Sequence, residues 1–270
     1  MAKIRLIALD LDDTLLRSDL TISQRTRKAI KKAINSGIII VLASGRVRPA
    51  LTSYVKVLGL DKSEGYLICG NGAIIHDTAT GKIIEQVMLP SKPALAAYHL
   101  ADAEGFSVQL YVDDVLYVSK ATEYTEIDRK LTGLKQVIPE NFAHYVETNC
   151  HKLVIPGDPM LLKPLETILR NVLGDELTLF TSKPYFLEIL PPKIDKGIAL
   201  AKVATKLGID RSEVMSFGDS MNDEAMILWA EYGIAMLNGD ERIKELAWAV
   251  TEATNDNDGI AIAIERYCFS

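Results

Sequence analysis

The chain opens with Ile4-Arg5-Leu6-Ile7-Ala8-Leu9 and runs straight into Asp10-Leu11-Asp12-Asp13-Thr14-Leu15-Leu16. The first part is short, apolar and rich in β-formers, and it stops on a cluster of acids, which reads as a buried strand. Outward from it, Ala29, Ile30, Ala33 and Ile34 share one helical face, with Ser23 as N-cap and Gly37 just past the end. Directly afterwards Ile38-Ile39-Ile40-Val41-Leu42-Ala43 is apolar throughout. A strand covered on both faces has this texture, which means a parallel sheet between helices. Strand, helix and strand in close succession make a βαβ unit.

The last third repeats the theme. A helix over 197–207 stops at Gly208, and Val214-Met215-Ser216-Phe217 forms a strand that enters Gly218-Asp219. A helix carrying Ala225, Met226, Leu228 and Trp229 follows, then a strand over 233–236, a helix from near Asp240, a last strand within 247–250 and a closing helix over 259–267. Residues 83–193 differ. They hold period-two stretches over 108–112 and 116–118 about Asp113-Asp114, a hairpin signal, and amphipathic helices over 93–104 and 160–172. The expected architecture is α/β: a Rossmann-like, doubly wound parallel sheet built from 1–82 and 194–270, split by an α+β insertion at 83–193.

Composition narrows the function classes. With 48% hydrophobic residues in 270, the chain can bury a sizeable core, which excludes general disorder. The 36 acidic residues outnumber the 30 basic ones, so no basic footprint for nucleic acid or an anionic membrane exists. Cys69, Cys150 and Cys268 lack CxxC spacing, which excludes a disulfide framework or a zinc site. The opening segment is too short and acidic for a signal peptide, and no long uncharged apolar run follows, so a cytoplasmic protein is expected. A homo-oligomer is left open. His76, His99, His144 and His151 have no ligand spacing among themselves and read as structural, as do Trp229 and Trp248. Lys28, Lys31 and Lys32 form a solvated helix face.

Four stretches carry chemistry. Three acids within Asp10-Leu11-Asp12-Asp13 repel one another at a strand end, and a divalent cation is the natural compensation; a solvated acidic turn is the plainer alternative. Alternation along an extended segment would put Asp10 and Asp12 on one side, with the Asp12 carbonyl within reach of a shared ion. Ser44-Gly45-Arg46, where the second strand ends, combines a hydroxyl, an open backbone and a guanidinium, a plausible anion site that a capped helix would also resemble. Lys196 opens a helix after Asp195 and would be a surface charge in isolation. Gly218-Asp219-Ser220-Met221-Asn222-Asp223 supplies a second half-site for a hard cation such as Mg²⁺. All four lie at strand ends or adjacent helix starts, where open α/β sheets bind ligands.

The order DxDxT, Ser, Lys, GDxxND resembles the haloacid dehalogenase superfamily of phosphatases and phosphotransferases, over nearly the whole chain. Within it the chain is similar to the Cof-type, YidA-like sugar-phosphate phosphatases, with Asn71-Gly72-Ala73 and the stretch Ser182–Ile189 as further marks. Asp13 departs from the glycine found in many members of that branch. The resemblance implies Asp10 as nucleophile and Asp12 as general acid and base. It implies Mg²⁺ on Asp10, the Asp12 carbonyl and Asp219, with Asp223 in support. Ser44 and Lys196 would hold the phosphate oxygens, Thr14 and Asn222 would orient the cluster, and Gly45, Arg46 and Asn71 would contact substrate or its phosphate. The insertion would be a cap that closes over the site and selects a small phosphorylated substrate. Two rivals remain: a phosphomutase or phosphotransferase that returns the phosphoryl group to sugar, and a metabolite-binding protein without catalysis. Glu188, a charge in an apolar run, either reaches the site or pairs with a cation.

Overall fold

A computed structural model of the chain describes residues 3–112 and 114–269. The strands are β1 (Leu6–Asp10), β2 (Ile39–Ala43), β3 (Gly65–Cys69), β4 (Ile74–Asp77), β5 (Ile83–Gln86), β6 (Gln109–Val112), β7 (Val115–Val118), β8 (Lys135–Val137), β9 (Leu153–Pro156), β10 (Thr178–Lys183), β11 (Phe186–Leu190), β12 (Val214–Gly218), β13 (Tyr232–Ala235) and β14 (Ala249–Val250). The α-helices are α1 (Gln24–Asn35), α2 (Thr52–Leu58), α3 (Ser91–Ala103), α4 (Glu123–Thr132), α5 (Phe142–Asn149), α6 (Pro159–Leu173), α7 (Lys196–Leu207), α8 (Glu224–Trp229), α9 (Glu241–Leu246) and α10 (Gly259–Phe269). They fall into two units. Of the described residues, the first holds 3–44, 52–85 and 195–269, the second 45–51, 86–112 and 114–194.

The first unit is built on one sheet, ordered β14-β13-β12-β1-β2-β3-β4-β5. Its strands from β14 to β3 run parallel, and β4 turns back antiparallel to β3. The chain leaves β1 toward β2 on one side and later returns to β12 on the other. That makes the carboxyl end of β1 the topological switch point, the place where an open α/β sheet forms its ligand crevice. Ala199, Leu200, Val203 and Ala204 of α7 pack with Leu6, Ala8, Val41 and Ile68 on one face. Helix α1 begins where its sequence signal lies: the Ser23 hydroxyl accepts from the Thr26 N–H, and Ala29, Ile30 and Ala33 are buried.

The second unit has a six-stranded sheet, β10-β11-β9-β6-β7-β8, antiparallel except for the β7–β8 pair. Residues of α3, α5 and α6 cover its apolar face through Leu110, Leu153, Ile155, Leu187 and Ile189. Strand alternation sends Glu188, between Leu187 and Ile189, to the opposite face. There its carboxylate accepts from Lys152 Nζ (2.9 Å) and from the Ser182 hydroxyl (2.7 Å). Of the two roles open to Glu188, cation pairing is the one seen.

The division differs from the sequence reading in three places, one of them the single residue Ile194, which falls in the second unit. Strand β5 completes the first sheet, so the boundary falls after Glu85 rather than after residue 82. Residues 45–51 join the second unit, because Val47 packs with Leu116, Val118 and Leu134, and Arg48 pairs with Asp114 at 3.3 Å. Asp113 of the expected hairpin turn lies outside the described residues; β6 and β7 on either side pair as an antiparallel hairpin. Among the described residues no helix is long and apolar enough to cross a membrane.

Candidate active site

Sheet register brings the acid-bearing loops together. Asp10 pairs with Ala43 on β2, and Leu9 with Phe217 on β12. Ser44 and Gly218-Asp219 therefore emerge beside Asp10 at the carboxyl ends of three adjacent central strands. Two close approaches make the arrangement possible. A Cβ at Gly218 would lie 2.4 Å from the Cβ of Asp223, so only glycine lets Asp223 fold back under the loop. A Cβ at Gly197 would meet the Ala225 carbonyl oxygen at 2.4 Å, so glycine allows the start of α7 to press against α8.

Lys196, at that helix start, is fully buried. Its Nζ donates to Asp10 Oδ1 at 2.5 Å and to Asp223 Oδ1 at 2.7 Å. The other oxygen of Asp223 accepts from the backbone N–H groups of Asp219 (3.1 Å) and Ser220 (3.2 Å). Asp223 thus ties the acidic loop to the lysine. Thr14 donates its hydroxyl to Asp219 Oδ1 at 2.8 Å, fixing that carboxylate from the first loop.

One carboxylate oxygen from each of Asp10, Asp219 and Asp223 lies within 4.8 Å of the other two. Three carboxylates, those of Asp10 and Asp223 buried, face the Lys196 ammonium, a formal excess of two negative charges. Burial, then the charge of Asp223, push the Asp10 carboxyl well above the usual carboxylate range despite Lys196. Burial and Asp223 likewise push Asp219 up to about 7. Burial works against the charge on Lys196, but Asp10 and Asp223 outweigh it and hold the ammonium above the ordinary lysine range. The lysine is therefore the fixed charge, and the carboxylates are short of a counter-charge. The donors are all hard oxygens, and the charge deficit equals that of a divalent cation, so the residues fit a Mg²⁺-type ion.

Asp12 stands outside this trio. Regular alternation stops at Asp10, and Leu11–Leu15 coils into a tight turn with Asp12 extended (φ −69°, ψ 128°) and Asp13 left-handed (φ 58°). Asn71 is also left-handed (φ 53°) and buried, and its N–H donates to the Ser44 carbonyl at 3.0 Å. Its Oδ1 accepts from Asn222 at 3.3 Å, and its Nδ2 is buried with no partner among the described residues. Asn222 thus reaches Asn71 rather than the carboxylates. Gly45 and Arg46 lie in the second unit's segment, where the Gly45 carbonyl accepts from Lys152 Nζ at 3.1 Å. Sequence reasoning misses the loop after β13, although Asp240 N–H donates to the Asp219 carbonyl at 2.7 Å and Asn238 reaches the Asp13 carbonyl. Its local sequence, Leu237-Asn238-Gly239, signals only a turn.

The sequence matches the haloacid dehalogenase-like hydrolase family over residues 7–264. The chain belongs to that family. As a haloacid dehalogenase-like hydrolase it is similar to the Bacillus subtilis 5-amino-6-(5-phospho-D-ribitylamino)uracil phosphatase YcsE, with 31% identity over 264 residues, 98% of this chain and 96% of that protein. It is similar also to phosphatase YwpJ of the same organism, at 29% identity over 95% of this chain and 97% of that one. The crystal structure of a haloacid dehalogenase-like hydrolase from Bacteroides thetaiotaomicron superposes with a TM-score of 0.91, at 32% identity, covering 98% of this chain and 99% of that chain. The motif series and the fold of this hydrolase therefore agree.

Proposed function

We propose that this hydrolase is a Mg²⁺-dependent phosphatase of small phosphorylated metabolites, sugar phosphates foremost, working through an aspartyl-phosphate on Asp10. The observation that carries the reading is Asp10 itself: a carboxylate at the switch point, held by a buried ammonium at 2.5 Å and crowded by two further acids. A binding protein has no use for so costly a cluster. The two relatives described above are named phosphatases, one of them for a phosphorylated ribitylamino-uracil.

In the first half-reaction an Asp10 oxygen bonds to phosphorus as the ester P–O bond breaks. The departing alkoxide takes a proton from the Asp12 carboxyl. In the second, Asp12 takes a proton from water, whose oxygen attacks phosphorus, so that inorganic phosphate leaves and Asp10 is regenerated. Lys196, Ser44 and the Asn71 amide would hold the non-bridging oxygens, donors placed where charge gathers. Asp10, Asp219 and the Asp12 carbonyl would hold Mg²⁺, with Asp223 behind them and Thr14 orienting Asp219. When bound, Mg²⁺ would offset the excess negative charge of the carboxylates, so that an anionic phosphoryl group can approach Asp10. Arg46 and the second unit would select the substrate and exclude water.

The test is a hydrolysis screen over phosphorylated metabolites that follows inorganic phosphate. Phosphate should be released from sugar phosphates without an activating bisphosphate; transfer back to sugar in its place would indicate a mutase. EDTA should abolish activity, Mg²⁺ should restore it, and Ca²⁺, which is larger and takes more ligands, should not substitute. Full activity in EDTA would remove the metal from the account. A sugar alkoxide needs a proton to leave, whereas a nitrophenolate does not. In single-turnover experiments Asp12→Asn should therefore slow phosphoryl transfer from a sugar phosphate by about 10²-fold or more, and from nitrophenyl phosphate far less. Equal losses would reduce Asp12 to a structural role.

A further inference from the structure

The loop after β13 touches both acid-bearing loops. Met236 N–H donates to the Gly218 carbonyl (2.9 Å) and Asp240 N–H to the Asp219 carbonyl (2.7 Å), while a Cβ on Gly239 would lie 2.8 Å from that same Asp219 oxygen. Between these contacts, Asn238 Nδ2 donates to the Asp13 carbonyl at 2.7 Å. The amide is braced from behind. Asn255 N–H donates to Asn238 Oδ1 at 3.0 Å, and the Asn255 amide donates to the Leu16 carbonyl at 2.9 Å, at the far end of the same turn.

Asp13 is the residue in that turn with a reason to move. It carries a β-carbon yet sits at φ 58°, ψ 7°, a conformation that favours glycine. Relaxing to the ordinary region would swing the peptide plane between Asp12 and Asp13, and with it the Asp12 carbonyl and the direction of the Asp12 side chain. A residue held in such a region persists only when its surroundings fix it. The bond from Asn238 grips the carbonyl on the other side of the same α-carbon, so it opposes that rotation. The clamp also reaches Asp219 through Asp240 and Gly239, so the two acidic loops share one support.

We infer that Asn238, braced by Asn255, is a positioning residue that keeps Asp12 in line for proton transfer by locking Asp13 in its left-handed conformation. The inference rests on the reading of Asp12 as the general acid and base. Asn238 touches neither substrate nor reacting atom in this role; it acts through the backbone.

Two variants test it, Asn238→Ala and Asn238→Asp. The second keeps the size of the side chain and can still accept from Asn255, but it has no N–H for the Asp13 carbonyl. Each is compared with wild type and with Asp12→Asn in single-turnover transfer from a sugar phosphate and from nitrophenyl phosphate. Amide hydrogen exchange is followed over residues 11–16 in the metal-free proteins. Loss of one hydrogen bond that orients an acid should slow the sugar phosphate about fivefold to tenfold and the nitrophenyl ester less than about twofold. Exchange should quicken within residues 11–16 while the melting curve and the rest of the chain stay as in wild type. The inference is overturned if Asp12→Asn shows the leaving-group selectivity but both Asn238 variants slow the two esters alike, or slow neither. It is equally overturned if exchange over 11–16 is unchanged. If Asp12→Asn itself slows both esters alike, the assignment of Asp12 has failed and the inference falls with it. Should the alanine variant not fold, the aspartate variant decides.

Discussion

Asp10→Asn is expected to fold as the wild type does and to lose turnover by roughly 10⁴-fold or more, the scale on which an enzyme loses its nucleophile. Asparagine keeps the shape of the side chain, and its oxygen can still accept from Lys196, so packing at the end of β1 is preserved. It brings no anionic oxygen to phosphorus. The substitution also removes one charge from a site that has an excess of two. In EDTA the variant should therefore melt at the same temperature as wild type or higher, the usual sign of a residue kept for function at a cost in stability. Thermal melts and a multiple-turnover assay check both halves. Repeated turnover by the asparagine protein, with deamidation excluded by mass spectrometry, would remove Asp10 from the mechanism.

Lys196→Met should do harm on both counts. Methionine fills similar space but removes the ammonium that donates to Asp10 and Asp223. Removing one partner of a buried ion pair costs about 3–5 kcal/mol. The pH dependence has a definite sign. In the metal-free wild type, burial and Asp223 already hold Asp219 up to about 7, above its unfolded value near 4. The folded state thus binds a proton that the unfolded state releases. The associated stability is complete below about pH 4 and is lost as the pH rises through about 7. Lys196 lowers Asp10 and Asp219, so without it these two rise further; the penalty should be larger at pH 8 than at pH 5 in EDTA, and Mg²⁺ should restore part of it. Phosphoryl transfer should fall by about 10²–10³-fold with the loss of a donor aimed at developing charge. A melting difference from wild type that is the same at pH 5 and pH 8 would contradict this electrostatic account.

Much of the first unit is legible in the sequence itself. Strands β1, β2 and β12 are largely apolar on both faces and give way to Asp10, Ser44 and Gly218-Asp219, because a parallel sheet buries both faces and presents its chemistry at strand ends. Helix α1 is marked by Ser23 and Gly37. The lysine is the weakest signal in isolation; only the order of motifs singles out Lys196, and only the fold shows it fully buried between Asp10 and Asp223. What local sequence does not carry depends on contacts distant along the chain. Residues 45–51 have no local mark of their place in the second unit, which comes from Val47 meeting Leu116 and Leu134. Strand β5 is short and largely exposed, and nothing in its pattern joins it to the first sheet. Glu188 is legible as an anomaly, but its partner Lys152 stands 36 residues away. Alternation puts Asp10 and Asp12 on one side, yet the turn at Leu11–Leu15 breaks that alternation, and its support by Asn238 and Asn255 comes from loops more than 220 residues downstream.

The central claim is a covalent phosphoryl group on one named carboxylate. The direct measurement is to quench the enzyme with acid during a single turnover, reduce it with borohydride, and map the peptides by mass spectrometry. An acyl phosphate is reduced where an ordinary carboxyl is not. The account predicts that residue 10, and no other, is converted to homoserine, in an amount that rises and decays with the burst of substrate cleavage. Turnover with residue 10 recovered only as aspartate, or with the conversion at another carboxylate, would contradict it.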